Sequence, residues 1–368
     1  MPGIFRDVKG RRGEDRMSLR FVIVGSGWRS LFYARIAAEH PEMFHLEAVL
    51  CRNEEKVQKL KQEYGLPATM SEEECEAASP DFVVVAVSKP SICEVTLKWA
   101  GKGYPVLCET PAALTQEDLG RIWNMAENGA KIQVAEQYFQ YPMIAAALEA
   151  VRRGYLGDPY AVNISLAHDY HGASLIRRFL NLDVNTPVKL YGKRFTFPVM
   201  ETGSRAGDVT NGSIKDRDRI RLTLEFDNGK AAFYDFSGVQ YHSYIRSRHL
   251  NVRGVKGELD DLTLRYTDDK FRPVMRELEV NWTEDKKGIR SVAMGNEVLY
   301  ENPFSTGIMP QDETAIAALM MGMKQFIEDG KPVYPLADAL QDAYTLILMN
   351  QALEHPGEVV KSDPQIWQ

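Results

Sequence analysis

The feature that most constrains this 368-residue chain is a short apolar run that stops on a pair of glycines. Leu19 to Val24 is apolar apart from Arg20 and closes on Gly25-Ser26-Gly27-Trp28-Arg29-Ser30. Such a run fits a strand buried on both faces of a parallel sheet. Ser30 to Glu39 then supports a helix, with Pro41 at its close. Leu46 to Cys51 is expected as a second strand, and Glu54 to Tyr64 as an amphipathic helix stopped by Gly65. The cycle repeats through Asp81 to Ser88 (strand), Ile92 to Lys102 (helix) and Val106 to Cys108 (strand). Thr115 to Asn128 follows as a helix capped by Thr115, and Lys131 to Ala135 as a strand. Regular alternation of this kind implies an α/β domain with a doubly wound parallel sheet over residues 17–138.

After Pro142 the rhythm changes. A helix from about Met143 to Arg153 leads into Gly154 and Gly157, and strands then dominate: Tyr160 to Leu166, Ile220 to Phe226, Lys230 to Ser237, His249 to Arg253 and Leu262 to Tyr266. Asp227-Asn228-Gly229 supplies the residues of a hairpin turn. Residues 139–368 are thus expected to form an α+β domain with a mainly antiparallel sheet, closed by helices at Glu313 to Asp329 and Leu336 to Glu354. Residues 1–16 are polar and rich in arginine, lysine and glycine, and are expected to be a flexible extension.

Composition narrows the classes further. With 44% hydrophobic and 26% charged residues and a net charge of −7, the chain lacks the basic excess that tracks a phosphate backbone, so nucleic acid is not an expected partner. No apolar run approaches the roughly 18 to 20 residues of a membrane span, and the N-terminus lacks the apolar stretch of a signal peptide. The four cysteines, Cys51, Cys75, Cys93 and Cys108, show no two-residue spacing of zinc or redox motifs and are expected as reduced thiols. A cytoplasmic location is the expectation.

The glycine turn carries the first chemical reading. A dinucleotide site needs a tight turn after the first strand, a glycine where backbone approaches the pyrophosphate, and helix amides aimed at the phosphates. Gly25 and Gly27 meet the first two needs, and Ser30 is small enough for close packing of helix on sheet. Ser26, Trp28 and Arg29 complete the turn, giving a Rossmann-type reading with a nicotinamide dinucleotide as ligand. At the end of the second strand, where NAD sites place an acid, the chain reads Leu50-Cys51-Arg52-Asn53. Arg52 pairs naturally with a 2′-phosphate, so NADP is favoured over NAD.

The order and spacing of further strings resemble the Gfo/Idh/MocA oxidoreductases. These are GYPVLCETPAALT from Gly103, VAEQYFQYP from Val134, GYLGDP from Gly154, RLTLEFDNGKAAFYDFSG followed by VKGELDD, and FIEDGKPVYPLADALQDAYTLILMNQAL near the end. The resemblance implies hydride exchange between NAD(P) and a sugar, polyol or related hydroxylated molecule, and a homodimer or homotetramer formed through the C-terminal sheet. It also implies cofactor contacts from Ser88, Lys89, Pro90, Glu109, Thr110 and Gln137. Typical members carry a lysine in an EKP motif, where this chain has Glu109-Thr110-Pro111. A threonine hydroxyl is too weakly acidic to serve as the base and carries no charge.

The chemistry is therefore expected in His168-Asp169-Tyr170-His171, which the resemblance places where a strand of the second domain leads into a helix facing the nicotinamide. An imidazole ordinarily exchanges its proton close to neutral pH, which makes His171 the first candidate for the base. Asp169 or Tyr170 would orient it, and Lys89 would restore positive charge near Thr110. His168, Tyr138 and Arg177 are candidate substrate contacts, with Arg178 beside the last, and Tyr141, Tyr241, His242 and Tyr244 form a further aromatic set. Two histidines three apart also suit a metal, but no third ligand stands near them in sequence and no metal is expected. Two other readings fit the same residues: a cofactor-binding sensor without turnover, and a lyase or glycosidase that oxidises a sugar carbon transiently.

Overall fold

The computed structural model describes residues 18–368. The expected extension at residues 1–16 lies outside the described residues. The chain divides into two compact units, one of residues 18–140 with 303–340 and the other of residues 141–302 with 341–368.

In the first unit, strands β1 (Leu19–Val24), β2 (Phe44–Leu50), β3 (Ala68–Thr69), β4 (Phe82–Val85), β5 (Val106–Cys108) and β6 (Ile132–Val134) alternate with helices. These are α1 (Ser30–Glu39), α2 (Glu54–Tyr64), α3 (Glu72–Ala77), α4 (Ile92–Gly101) and α5 (Gln116–Glu127). The strands form one parallel sheet in the order β3-β2-β1-β4-β5-β6. Phe21, Val22, Ile23 and all of β4 are fully buried, because helices on both faces leave no polar side to these strands. The expected caps form: Thr115 Oγ1 accepts from Asp118 N at 3.2 Å, and Gly65 closes α2 in the left-handed region at φ +65°. Reversal of strand order between β1 and β4 opens a crevice at the carboxyl edge, where ligands of such sheets bind.

Residues 303–340 return to this unit through helix α8 (Gln311–Asp329), an excursion that the strand-helix rhythm does not announce. Gln133 Oε1 accepts from Val333 N at 2.9 Å, Lys131 Nζ donates to Ile327 O, and His40 Nε2 lies 3.1 Å from Gly307 O.

The second unit opens with α6 (Pro142–Arg152), β7 (Pro159–Ser165) and α7 (Asp169–Phe179). Its large sheet adds β8 (Val188–Met200), β11 (Ile214–Phe226), β12 (Ala231–Phe236), β13 (His249–Gly254), β14 (Gly257–Asp260), β15 (Thr263–Thr267) and β16 (Pro273–Glu277). Between β8 and β11 lies a small hairpin of β9 (Gly203–Ser204) and β10 (Gly207–Asp208). β17 (Glu279–Trp282), β18 (Ile289–Met294) and β19 (Glu297–Glu301) form a separate three-stranded sheet, and α9 (Leu336–Glu354) and β20 (Val360–Lys361) end the chain. The nine-stranded sheet runs β16-β15-β14-β13-β7-β12-β11-β8-β20, antiparallel except where β12 pairs with β7. Alternation sorts its faces: Leu190, Leu222, Leu224, Ala232 and Tyr234 are buried, while Tyr191, Phe195, Phe197 and Phe233 on the other face are exposed.

Candidate functional site

The turn after β1 is built by backbone geometry. Gly25 has φ +124°, and a Cβ there would stand 2.2 Å from the carbonyl oxygen of Ala86, at the end of the neighbouring β4. Only glycine fits this approach. Gly27 is the opposite case: it is exposed, and no atom lies within 4 Å of where its Cβ would be. Ser30, 2% exposed, donates from Oγ to Gly25 O at 2.9 Å and so ties the helix start back onto the turn. The first turn of α1 holds no acidic residue of its own and no side-chain cap, an arrangement that favours an anion at a helix start. These features fit a pyrophosphate: the Ser26 and Gly27 amides and the open face of Gly27 would receive it. Trp28, 54% exposed, rests its ring edge-on against Phe32 at 4.5 Å.

The other expected cofactor residues gather on the same carboxyl edge. Glu109 follows β5, and its amide donates to Val85 O at 3.0 Å, which sets it beside the end of β4. Ser88, Lys89 and Pro90 are exposed just beyond β4, with Ser88 Oγ 3.3 Å from Ser91 Oγ. Thr110 is half-buried, and its bond to Pro111 is cis. Arg29 is held inside the unit: Nε donates to Glu109 Oε1 at 2.9 Å, and a terminal nitrogen reaches Asp312 Oδ2 of α8 at 3.1 Å. The Gln137 amide, with its oxygen toward Arg29, donates to Ala135 O at 2.9 Å. Tyr33 Oη adds a 2.7 Å hydrogen bond to the same Glu109 oxygen, and burial raises this phenol well above its ordinary pKa. Asp312 and Tyr33 had no local sequence signal.

At the end of β2, Cys51 is buried and its amide donates to Thr69 O at 2.8 Å, while Arg52 and Asn53 are exposed. Burial pushes the Cys51 thiol up, and a hydrogen bond with Ser26 of the glycine turn works against that shift. Arg52 takes part in no ion pair among the described residues, whereas Asn53 Oδ1 caps α2 by accepting from Lys56 N at 3.0 Å. Tyr138, expected near substrate, is a buried side chain of this unit.

In the second unit the His168-to-His171 segment forms the entrance to α7. His168 occupies the cap position in an extended conformation, and Asp169 follows at φ +45° with its amide donating to Tyr234 Oη at 3.0 Å. Tyr234 in turn donates to Ala167 O at 3.1 Å, and burial drives its pKa upward. A Cβ on Gly172 would fall 2.5 Å from the Tyr234 ring, so the first turn of α7 is shaped around that phenol. His171 is 6% exposed, with its ring edge-on to those of His168 at 4.9 Å and Tyr170 at 5.9 Å. Tyr241 contributes its hydroxyl to His168, accepting from the backbone N–H at 2.9 Å and contacting Nδ1.

The remaining candidates differ in their surroundings. Tyr170 packs into the core at 2% exposure. Arg177, expected at the substrate, is 8% exposed and forms an ion pair with Asp342 of α9 at 2.6 Å, while its NH1 donates to Asp183 O at 3.3 Å. Its charge is thus met inside the unit. Of the aromatic set, Tyr241 joins His168, whereas His242 and Tyr244 are exposed and Tyr244 donates to Asp208.

Comparison with known proteins places these observations. No curated protein matches the chain by sequence. Residues 19–137, about a third of the chain, match the model of the Gfo/Idh/MocA oxidoreductase family, NAD-binding Rossmann fold. Solved structures extend the likeness in fold over nearly the whole chain. An oxidoreductase from Agrobacterium radiobacter, in complex with NAD+, L-tartaric acid and magnesium, shares 14% identity with a TM-score of 0.67, over 93% of this chain and 98% of that one. Myo-inositol 2-dehydrogenase from Lactobacillus plantarum shares 15% at a TM-score of 0.65, covering 94% and 100%. The WlbA dehydrogenase from Bordetella pertussis, in complex with NADH and UDP-GlcNAcA, shares 16% at 0.64, covering 96% and 100%. Residues 19–137 are thus similar to the NAD-binding Rossmann segment of the Gfo/Idh/MocA oxidoreductases.

Proposed function

We propose that the protein exchanges a hydride between a nicotinamide dinucleotide and a hydroxylated small molecule of the sugar, polyol or hydroxy-acid class. The observation that carries this reading is the open backbone of Gly27 above an uncapped, acid-free helix start, a cradle suited to a pyrophosphate. The similar structures name tartaric acid, a nucleotide sugar and inositol, which are polyhydroxylated. A bound nicotinamide supplies the hydride acceptor. Exposed Arg52 would meet a 2′-phosphate and tilt the choice to NADP, and titration of NADPH and NADH fluorescence compares the two directly.

His171 is the proposed base. Its imidazole takes the hydroxyl proton as hydride leaves the same carbon, a role vacated by the absence of lysine at Thr110. Asp169 and His168 shape its setting, and Lys89 on the carboxyl edge of β4 supplies positive charge. Arg177 is left out, because Asp342 already neutralises it. Oxidation followed at 340 nm over a panel of polyols, sugars and hydroxy acids should find a turned-over substrate. His171→Ala should lower kcat by roughly 10²- to 10⁴-fold, the usual contribution of a general base; unchanged turnover removes His171 from the role. Binding of dinucleotide without turnover of any substrate would favour the sensor reading, which Thr110 supports.

The exposed face of the nine-stranded sheet is proposed to pair copies of the chain. Tyr191, Phe195, Phe197 and Phe233 stand there among Arg219, Arg221 and Asp235, which pair with one another across strands. Sedimentation at micromolar concentration checks this, a monomeric mass counting against it.

A further inference from the structure

The turn that carries Tyr241 is fastened more firmly than an exposed connection requires. Residues Gly238–Tyr241 form one 3₁₀ turn whose start is a reciprocal capping box, with Ser237 N donating to Gln240 Oε1 at 2.8 Å. Ser237 Oγ donates to Asp218 O at 2.6 Å. Gln240 Nε2 donates to Ser165 Oγ at 3.0 Å and to Ser247 O at 2.6 Å. Ser165 ends β7, three residues before His168, so these bonds set the turn directly against the strand that delivers the histidine. Phe236 packs on the Tyr241 ring at 5.2 Å, and the Arg248 guanidinium lies 5.7 Å from the same ring.

Hydrogen-bond accounting then assigns a direction. A tyrosine oxygen offers one proton and accepts mainly near the plane of its ring. The His168 amide donates to the Tyr241 oxygen at 2.9 Å, and a hydroxyl proton turned toward Nδ1 is the arrangement inferred for the second contact. An Nδ1 that accepts puts the proton of the neutral ring on Nε2. The ring so fixed meets His171 edge to face, at 4.9 Å and 78°.

We propose that Tyr241 is a positioning residue that fixes the tautomer and orientation of His168 and, through that ring, holds His171 in its working setting. The proposal rests on the reading of His171 as the base. Tyr241 touches no reacting atom. Its effect belongs to the rate of the chemical step and not to the binding of substrate.

Nitrogen-15 NMR of the histidine-labelled full chain tests the first half without any turnover. His168, assigned by the loss of its signals in His168→Gln, is expected as the Nε2–H tautomer in the unmodified protein. Tyr241→Phe should convert it to a mixture of tautomers and move the His171 signals. An Nδ1–H tautomer in the unmodified protein, or signals indifferent to Tyr241→Phe, overturns the proposal. Kinetics test the second half. Tyr241→Phe should lower kcat roughly ten-fold, the scale of one hydrogen bond, with KM held within about two-fold. The same exchange made in the His168→Gln background should add nothing, and a full additive loss there overturns the proposal. If no substrate is turned over, the functional reading fails, and the tautomer measurement decides the place of Tyr241 alone.

Discussion

Gly25 and Gly27 are two residues apart and serve opposite needs. Gly25→Ala drives a Cβ into the Ala86 carbonyl at a positive φ, and should cost about 2 to 4 kcal/mol from strain and overpacking together. Gly27→Ala meets nothing in the protein and should leave the melting temperature unchanged while lowering dinucleotide affinity at least ten-fold, roughly the cost of a methyl group against the pyrophosphate. Thermal melts beside NADPH titrations separate the two. The cysteines give a pH expectation. Burial pushes Cys75 up to about 11 and Cys93 and Cys108 up to about 12, from an ordinary 9.0. A thiol held neutral in the fold contributes stability fully below pH 9 and loses it as pH climbs toward 11 to 12. Urea midpoints should therefore fall between pH 8 and pH 10.5, and less so once these cysteines are replaced by alanine or serine. The glycine turn was legible because a buried strand and its closing glycines are local signals. The Arg29 contacts were not, since Glu109 and Asp312 lie 80 and 283 positions away.

Helix α7 shows what determines an element that carries candidate site residues. Its first turn is fitted around Tyr234 through Gly172, and its last is tied to α9 by the Arg177–Asp342 pair. Asp342→Asn would remove the carboxylate that faces a buried guanidinium and should cost about 3 to 5 kcal/mol in urea denaturation. The double replacement Arg177→Met with Asp342→Leu should recover most of that loss, because no charge then remains buried. From sequence, Arg177 and Arg178 were indistinguishable helix charges, and only packing shows that one of them is enclosed. The hairpin at Asp227-Asn228-Gly229 and the Thr115 cap were both legible, each being a short-range device. Strand β8 was not. Lys189, Lys193 and Arg194 interrupt its apolar residues, and its identity comes from thirteen consecutive pairings with β11. The three short strands from Glu279 to Glu301 were hidden in the same way, by polar residues on their outer faces.

At the scale of the molecule, the α/β and α+β classes were readable because they follow from the order of strands and helices. The return of residues 303–340 to the first unit was not, since α8 carries an ordinary amphipathic pattern that names no partner. This return limits how the chain can be cut. A fragment ending near Gln140 would keep the glycine turn but lose Asp312 from Arg29, Gly307 from His40 and Val333 from Gln133. Residues 18–140 made alone should aggregate or melt at low temperature. The same segment joined by a flexible linker to 303–340 should be soluble and should bind NADPH, as fluorescence would record. On this expectation, a heritable piece that holds the nucleotide is discontinuous in the gene, so recombination that grafts this domain elsewhere must carry two separate stretches of coding sequence.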